Sequence, residues 1–122
     1  MIKAVWFDIP VADMNRAIKF YEALTCQALR REQMGPGMET ALFPAEEDGS
    51  GGCLFASPDD QPSHYGSRVY FDSNPKIDDW LARVEPAGGK ILVGKTAVPE
   101  VGGVFAYIED SEGNRVGLRA DA

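Results

Sequence analysis

The groups able to do chemistry in this 122-residue chain are few. His64 is its only histidine, and Cys26 and Cys53 are its only cysteines, set in no CxxC or other metal-like spacing. No nucleophile stands beside an evident base, and His64 lies in SPDDQPSHYG with no motif around it. Proton transfer is left to Asp8, which alternates with Trp6 in WFDIP. Buried beside that indole it would be a weak catalytic candidate, as a general base. The aromatic and cationic residues Trp6, Arg68 and Tyr70 are better suited to binding an organic molecule than to transforming one.

These residues must be positioned by elements that the apolar pattern marks out. Val5, Phe7 and Ile9 alternate with Ala4, Trp6 and Asp8, the period of a strand with unlike faces, and Pro10 stops it. Asp13 then caps a helix over 13–24, with Met14, Ala17, Ile18 and Tyr21 on one side. Extended segments over 27–33, 39–43 and 53–57 follow, separated by MGPGM and AEEDGSGG. Residues 57–66, with two prolines and no apolar period, read as a linker. The order then begins again with a strand over 67–72. Asn74 as cap and Pro75 as first helical residue open a helix over 75–84, with Ile77, Trp80, Leu81 and Val84 as its stripe. Pro86 and the Gly88-Gly89 pair end it, and strands over 90–93, 103–108 and 115–119 complete the chain.

The halves match as strand, helix, strand, strand, strand, and the two stripes are offset by about half the chain. The pattern predicts an α+β fold of one domain with two βαβββ modules, the first about 1–57, a linker 58–66 and the second about 67–120. One helix per four strands covers one face of a sheet only, so the modules are expected to form a curled mixed sheet around a central cleft, helices outside.

Composition sets the outer limits. With 44% hydrophobic residues the chain can bury a core without a metal or disulfide to staple it. A net charge of −7 disfavours nucleic acid and anionic membrane surfaces as partners. The chain runs straight into a strand pattern, no apolar run approaches a membrane span, and two reduced thiols suit a cytoplasmic location.

Three segments carry a family resemblance. IPVADMNRAIKFYEAL resembles the first-module signature of the glyoxalase, bleomycin-resistance and extradiol dioxygenase superfamily, also called vicinal oxygen chelate. AGGKILVGK is similar to its segment after the second helix, and FAYIEDSEGNRVGL to its last strand pair around an acidic turn. The resemblance covers nearly the whole chain in order. It implies paired modules, a small-molecule ligand in the cleft, and a homodimer that covers exposed sheet edges. In metal-dependent members it also implies a divalent ion held by His or Glu from several strands.

The positions where the resemblance expects those ligands hold other residues. They are Trp6 on the first strand, about Arg68 at the start of the second module, and Gly117 between Val116 and Leu118, while CLFAS offers only Cys53. Tryptophan and glycine side chains cannot ligate, and arginine is a cation. No metal and no cofactor is therefore expected, and lactoylglutathione lyase activity is not carried over. If Trp6 takes an inward ligand position, Asp8 is inward too, as are Arg68 and Tyr70 on the fifth strand and Arg115, Gly117 and Arg119 on the last.

The ligand-binding candidates are thus Trp6, Asp8, Arg68, Tyr70 and Gly117. Trp6 and Tyr70 either line a pocket or fill a closed core. Gly117 either admits a ligand close to the backbone or records the loss of a metal ligand. Phe105 and Tyr107 share a strand face whose direction the pattern leaves open. The function expected is metal-free binding of a small organic molecule, such as an aromatic or cationic antibiotic, in the manner of bleomycin-resistance proteins, which the net acidity and the inward aromatics favour. The alternatives are a lyase or isomerase with an atypical site and an interaction module with a filled cup.

Overall fold

A computed structural model describes residues 2–122 and separates them into two compact units, one ending at Pro62 and the other beginning at Ser63. The first unit runs β1 (Trp6–Pro10), α1 (Met14–Thr25), β2 (Arg30–Gln33), β3 (Glu39–Leu42) and β4 (Gly51–Ala56). The second runs β5 (Tyr70–Asp72), α2 (Ile77–Ala87), β6 (Lys90–Ala97), β7 (Val104–Glu109) and β8 (Arg115–Ala120). Each unit is the βαβββ module expected from the repeat, with its own four-stranded mixed sheet. The orders are β1-β4-β3-β2 and β5-β8-β7-β6, parallel only at β1·β4 and β5·β8. No helix among the described residues is long and apolar enough to cross a membrane.

In the first unit α1 begins where its cap dictates. Asp13 is extended, and its side chain accepts a hydrogen bond from the Arg16 amide at 3.0 Å. The buried face of α1 is Met14, Ala17, Phe20, Tyr21 and Leu24. Ile18, expected in that stripe, is only half-buried, because Phe20 and Leu24 take the centre of the contact. Tyr21 meets Phe43 edge-on at 5.6 Å between centroids, and Phe43 meets Phe7 at 5.7 Å, so the ring chain crosses from helix to sheet. Gly52 stands opposite Phe7 in the parallel register, and a Cβ there would overlap the Phe7 ring.

The second unit departs from its expected boundaries where β6 runs on to Ala97 rather than ending at Val93, and at two further places. Asn74 and Pro75 do not open α2; the helix starts at Ile77, Lys76 is its N-cap, and that cap makes no side-chain hydrogen bond. Asn74 is occupied elsewhere: its Oδ1 accepts from the Asp121 amide at 2.8 Å, which ties the approach to α2 to the end of β8. Pro86 lies within the last turn, and Gly88, in the left-handed region at φ 107°, makes the true stop.

The last departure is β5, which begins at Tyr70 rather than Ser67. Its edge partner β8 starts at Arg115, whose amide already donates to the Ser63 carbonyl at 3.3 Å. The chain must turn through Gly66 at φ 88° before it can join the sheet. Residues 63–64, part of the stretch read as a linker, are therefore fastened. The Ser63 amide donates to Asn114 Oδ1 at 3.1 Å, and His64 Nε2 bonds Glu109 Oε2 at 2.6 Å. Asp110 and Asn114 bond each other in a buried turn that holds this junction.

Replacing Gly52 by alanine should cost about 1–3 kcal/mol in urea denaturation, because the new methyl must displace the Phe7 ring from the core. Gly94→Ala, where nothing lies within 4 Å, should stay within about 0.5 kcal/mol of the parent. Equal stabilities for the two variants would contradict this packing.

Candidate functional site

Alternation along the strands sends one set of side chains under each helix and leaves the other set on an open sheet face. In the first unit Phe7 and Ile9 go under α1, and Trp6 and Asp8 stand on the open face. Trp6 is 47% exposed, which excludes a core role for it within its own unit. Its Nε1 donates to Asp8 Oδ1 at 3.1 Å, and Cys53, Asp8's neighbour in the parallel register, donates Sγ–H to the same oxygen at 3.2 Å. Burial pushes the Cys53 thiol up to about 12, and the hydrogen bond and negative charge of Asp8 push in the same direction. Cys53 is thus a protonated donor that orients Asp8, and no thiolate is available from it at neutral pH.

Asp8 is exposed, so the burial beside the indole on which a general-base role would depend is not met. The reason is geometric: Trp6 is two residues away along the strand and reaches Asp8 with its ring nitrogen, while both side chains remain on the uncovered face. On its other side Trp6 borders a recess of about 530 Å³ walled by Leu29, Leu42, Phe43, Pro44 and Ala45. An exposed indole, a carboxylate held by two donors and an apolar recess make a surface for a flat organic group.

In the second unit the open face carries Tyr70, Gly117 and Tyr107 side by side on β5, β8 and β7, paired in register. That settles the face of β7: Val104, Ala106 and Ile108 are buried, and Phe105 and Tyr107 turn with Gly117 to the open side. Gly117 proves to be neither an open approach to the backbone nor empty. The Tyr70 ring lies over it where a Cβ would clash, and this lets the Tyr70 hydroxyl reach the Tyr107 hydroxyl at 2.9 Å. Tyr70 is still 45% exposed, so it too is no core residue.

Arg68 precedes the strand rather than belonging to it, yet it reaches the same cluster. Its Nη1 lies 3.5 Å from Tyr70 Oη, and its guanidinium sits 4.3 Å from the Tyr107 ring centroid. Arg115 approaches that ring at 5.7 Å, and Phe105 packs on it at 4.9 Å. Partial burial by itself would raise the Tyr70 phenol, but the hydrogen bonds from Tyr107 and Arg68 and the charges of Arg68 and Arg115 outweigh it and lower the group. Tyr107 is raised, first by its hydrogen bond to Tyr70. Tyr107 is the residue whose face the sequence leaves undecided, and Arg115, read as sharing the face of Gly117, is not among its binding candidates. The signal was present in the parity of Tyr107 and Gly117 about the turn, but it could be read only once the register was fixed.

The divalent ion implied by the family resemblance does not fit these residues. Trp6 and Gly117 offer no donor and Arg68 is a cation, while Asp8 has beside it only a thiol held protonated. Among the described residues no three His, Cys, Asp or Glu side chains converge.

The sequence profile of the Glyoxalase/Bleomycin resistance protein/Dioxygenase superfamily matches residues 3–118. No curated protein matches the sequence. Among solved structures, a mutant of glyoxalase I from Zea mays superposes with a TM-score of 0.76 at 20% identity over 97% of this chain and 45% of that one. This chain therefore spans less than half the length of the maize protein. A glyoxalase-related enzyme from Fulvimarina pelagi gives a TM-score of 0.69 at 14% identity, covering 99% of this chain and 89% of that one. TnmS3, an antibiotic binding protein from a Streptomyces species, gives 0.68 at 21% identity, covering 100% and 98%.

The thiol geometry can be checked directly. At pH 8 a disulfide reagent should modify exposed Cys26 promptly and Cys53 slowly, as followed by mass spectrometry. Asp8→Asn removes the negative charge that helps to hold the Cys53 proton and leaves only a weaker, neutral acceptor, so its labelling should accelerate several-fold while burial keeps it behind Cys26. Equal labelling of both thiols in the parent would refute the Cys53–Asp8 contact.

Proposed function

We propose, for a chain that belongs to the Glyoxalase/Bleomycin resistance protein/Dioxygenase superfamily, that it binds a small organic molecule on the open faces of its sheets without the usual divalent metal. The observation that carries this is the state of Trp6. The residue at the family's first ligand position is an exposed indole, braced by Asp8 and bordered by an apolar recess. An aromatic ring held in place and left uncovered offers stacking area at little ordering cost. Tyr70, likewise exposed, gives the second unit its own aromatic surface, with Arg68 beside it and Gly117 making room for the ring.

The similarity to an antibiotic binding protein of matched length supports a binding role as an analogy at the level of fold. A bleomycin-resistance-like role, capture of a flat antibiotic, is the specific form of this proposal. Asp8 could act as a base through the oxygen that Trp6 and Cys53 leave unoccupied, but it has no partner base or electrophile beside it. We further propose a homodimer, since exposed aromatic faces and edge strands favour pairing, and a cytoplasmic location, which suits two free thiols.

A thermal-shift screen of planar aromatic compounds should raise Tm for at least one of them by mass action. Trp6→Ala should weaken that compound by about 1–3 kcal/mol in calorimetry while leaving the fold intact. Nickel, zinc and manganese should be lost on dialysis, and the hemithioacetal of methylglyoxal and glutathione should not be turned over. One retained metal ion per chain together with turnover would replace this proposal with an enzyme.

A further inference from the structure

The open face of the second unit carries an imbalance of charge that selects among organic ligands. The chain as a whole is acidic, at −7, yet Arg68 and Arg115 both lean on the Tyr107 ring and neither has a carboxylate partner among the described residues. Glu109 stands opposite Arg115 in the β7·β8 register, where an ion pair would be ordinary, but its carboxylate is bonded to His64. Arg115 Nε is buried with no hydrogen-bond partner at all. That atom has no accessible surface, so it shows that no protein acceptor neutralises the Arg115 head and is not itself a point of contact for a ligand.

The tyrosines point the same way. Tyr70 Oη is within reach of two donors, Tyr107 Oη–H and the Arg68 guanidinium, so its own proton can be directed outward as a donor. The lowering of Tyr70 and the raising of Tyr107 agree with that orientation. Around Tyr107 the face thus presents two guanidinium groups and a phenolic donor beside the rings of Tyr107 and Phe105, which are 4.9 Å apart, while its carboxylates stand at the margins, Glu109 bonded to His64 and Asp72 opposite Arg119. A cationic ligand would meet two like charges at close range; an anion would meet complementary ones.

We infer that this face takes a planar aromatic anion, a carboxylate or phenolate, with its charge on Arg68 and Arg115 and its ring against Tyr107 and Phe105. The inference rests on the proposal that the open sheet faces bind a small organic molecule, and it adds the sign of the ligand's charge and the residues that select it.

The test uses three probes that share one ring system and differ in charge: 2-naphthoate, 2-naphthalenemethanol and 2-naphthylmethylammonium. Calorimetry on the full chain should find the carboxylate bound at least about tenfold more tightly than the alcohol, and the ammonium most weakly. Arg68→Met and Arg115→Met should each weaken 2-naphthoate at least about fivefold and leave the alcohol within about twofold, with circular dichroism confirming the fold. Arg115→Lys, which keeps the charge and removes Nε, should fall between parent and Arg115→Met. Equal or tighter binding of the alcohol or ammonium would overturn the charge inference alone, as would an anion preference that survives both substitutions. Failure of all three probes would overturn it together with the binding proposal on which it rests.

Discussion

One helix of eleven or twelve residues can cover one face of a four-stranded sheet and no more, and this constraint shapes each unit. The strands that build the core place their apolar alternates beneath the helix, so the residues between them are committed to the open face whatever their chemistry, whereas β2 and β6 are exposed along nearly their whole length. Phe7 and Ile9 go under α1, which puts Trp6 and Asp8 outside. Val116 and Leu118 go under α2, which puts Gly117 outside and makes it the seat of the Tyr70 ring. The open faces are consequently products of the core pattern. A change of one residue in register would exchange core and surface together.

The two open faces have opposite electrostatic character. On the first a carboxylate is the centre, fed by an indole N–H and a thiol that its own charge helps to keep protonated. On the second two guanidinium groups and a pair of hydrogen-bonded phenols surround Tyr107. Divalent ions require several converging O, N or thiolate donors, and among the described residues no three His, Cys, Asp or Glu side chains converge on either face. Both are furnished for aromatic contact with a fixed polar complement, which is the usual make-up of a small-molecule surface. Belonging to a superfamily that includes enzymes therefore says little about catalysis here; the side chains at the open faces decide it.

Local hydrogen bonding explains where the elements begin. Asp13 and Asn74 are both good capping residues, and only Asp13 caps. Asn74 instead accepts from the Asp121 amide, a partner remote in sequence that tertiary structure brings near, and α2 starts later with a cap that contributes no side chain. In the same way Ser63 and His64 look like linker residues until the buried Asp110–Asn114 turn and Glu109 fasten them, and that fastening delays the entry of β5 to Tyr70. These are long-range bonds competing successfully with local preference.

By itself the sequence determined the α+β class, the two βαβββ modules, the placement of Trp6 and Asp8 on one strand face, and which residue types stand where the resemblance expects metal ligands. Those follow from period-two and period-3.6 alternation and from the donor inventory of each residue type, properties carried locally along the chain. Tertiary structure alone decided the face of Phe105 and Tyr107, the filling of Gly117 by Tyr70, the union of Arg68 and Arg115 on one ring, and the pairing of Cys53 with Asp8. Each depends on the register between strands distant in sequence, on whether a side chain has a partner across the sheet, or on how deeply a thiol is buried. Alternation tells which residues share a face, but only packing shows which face is covered and what each uncovered residue meets there.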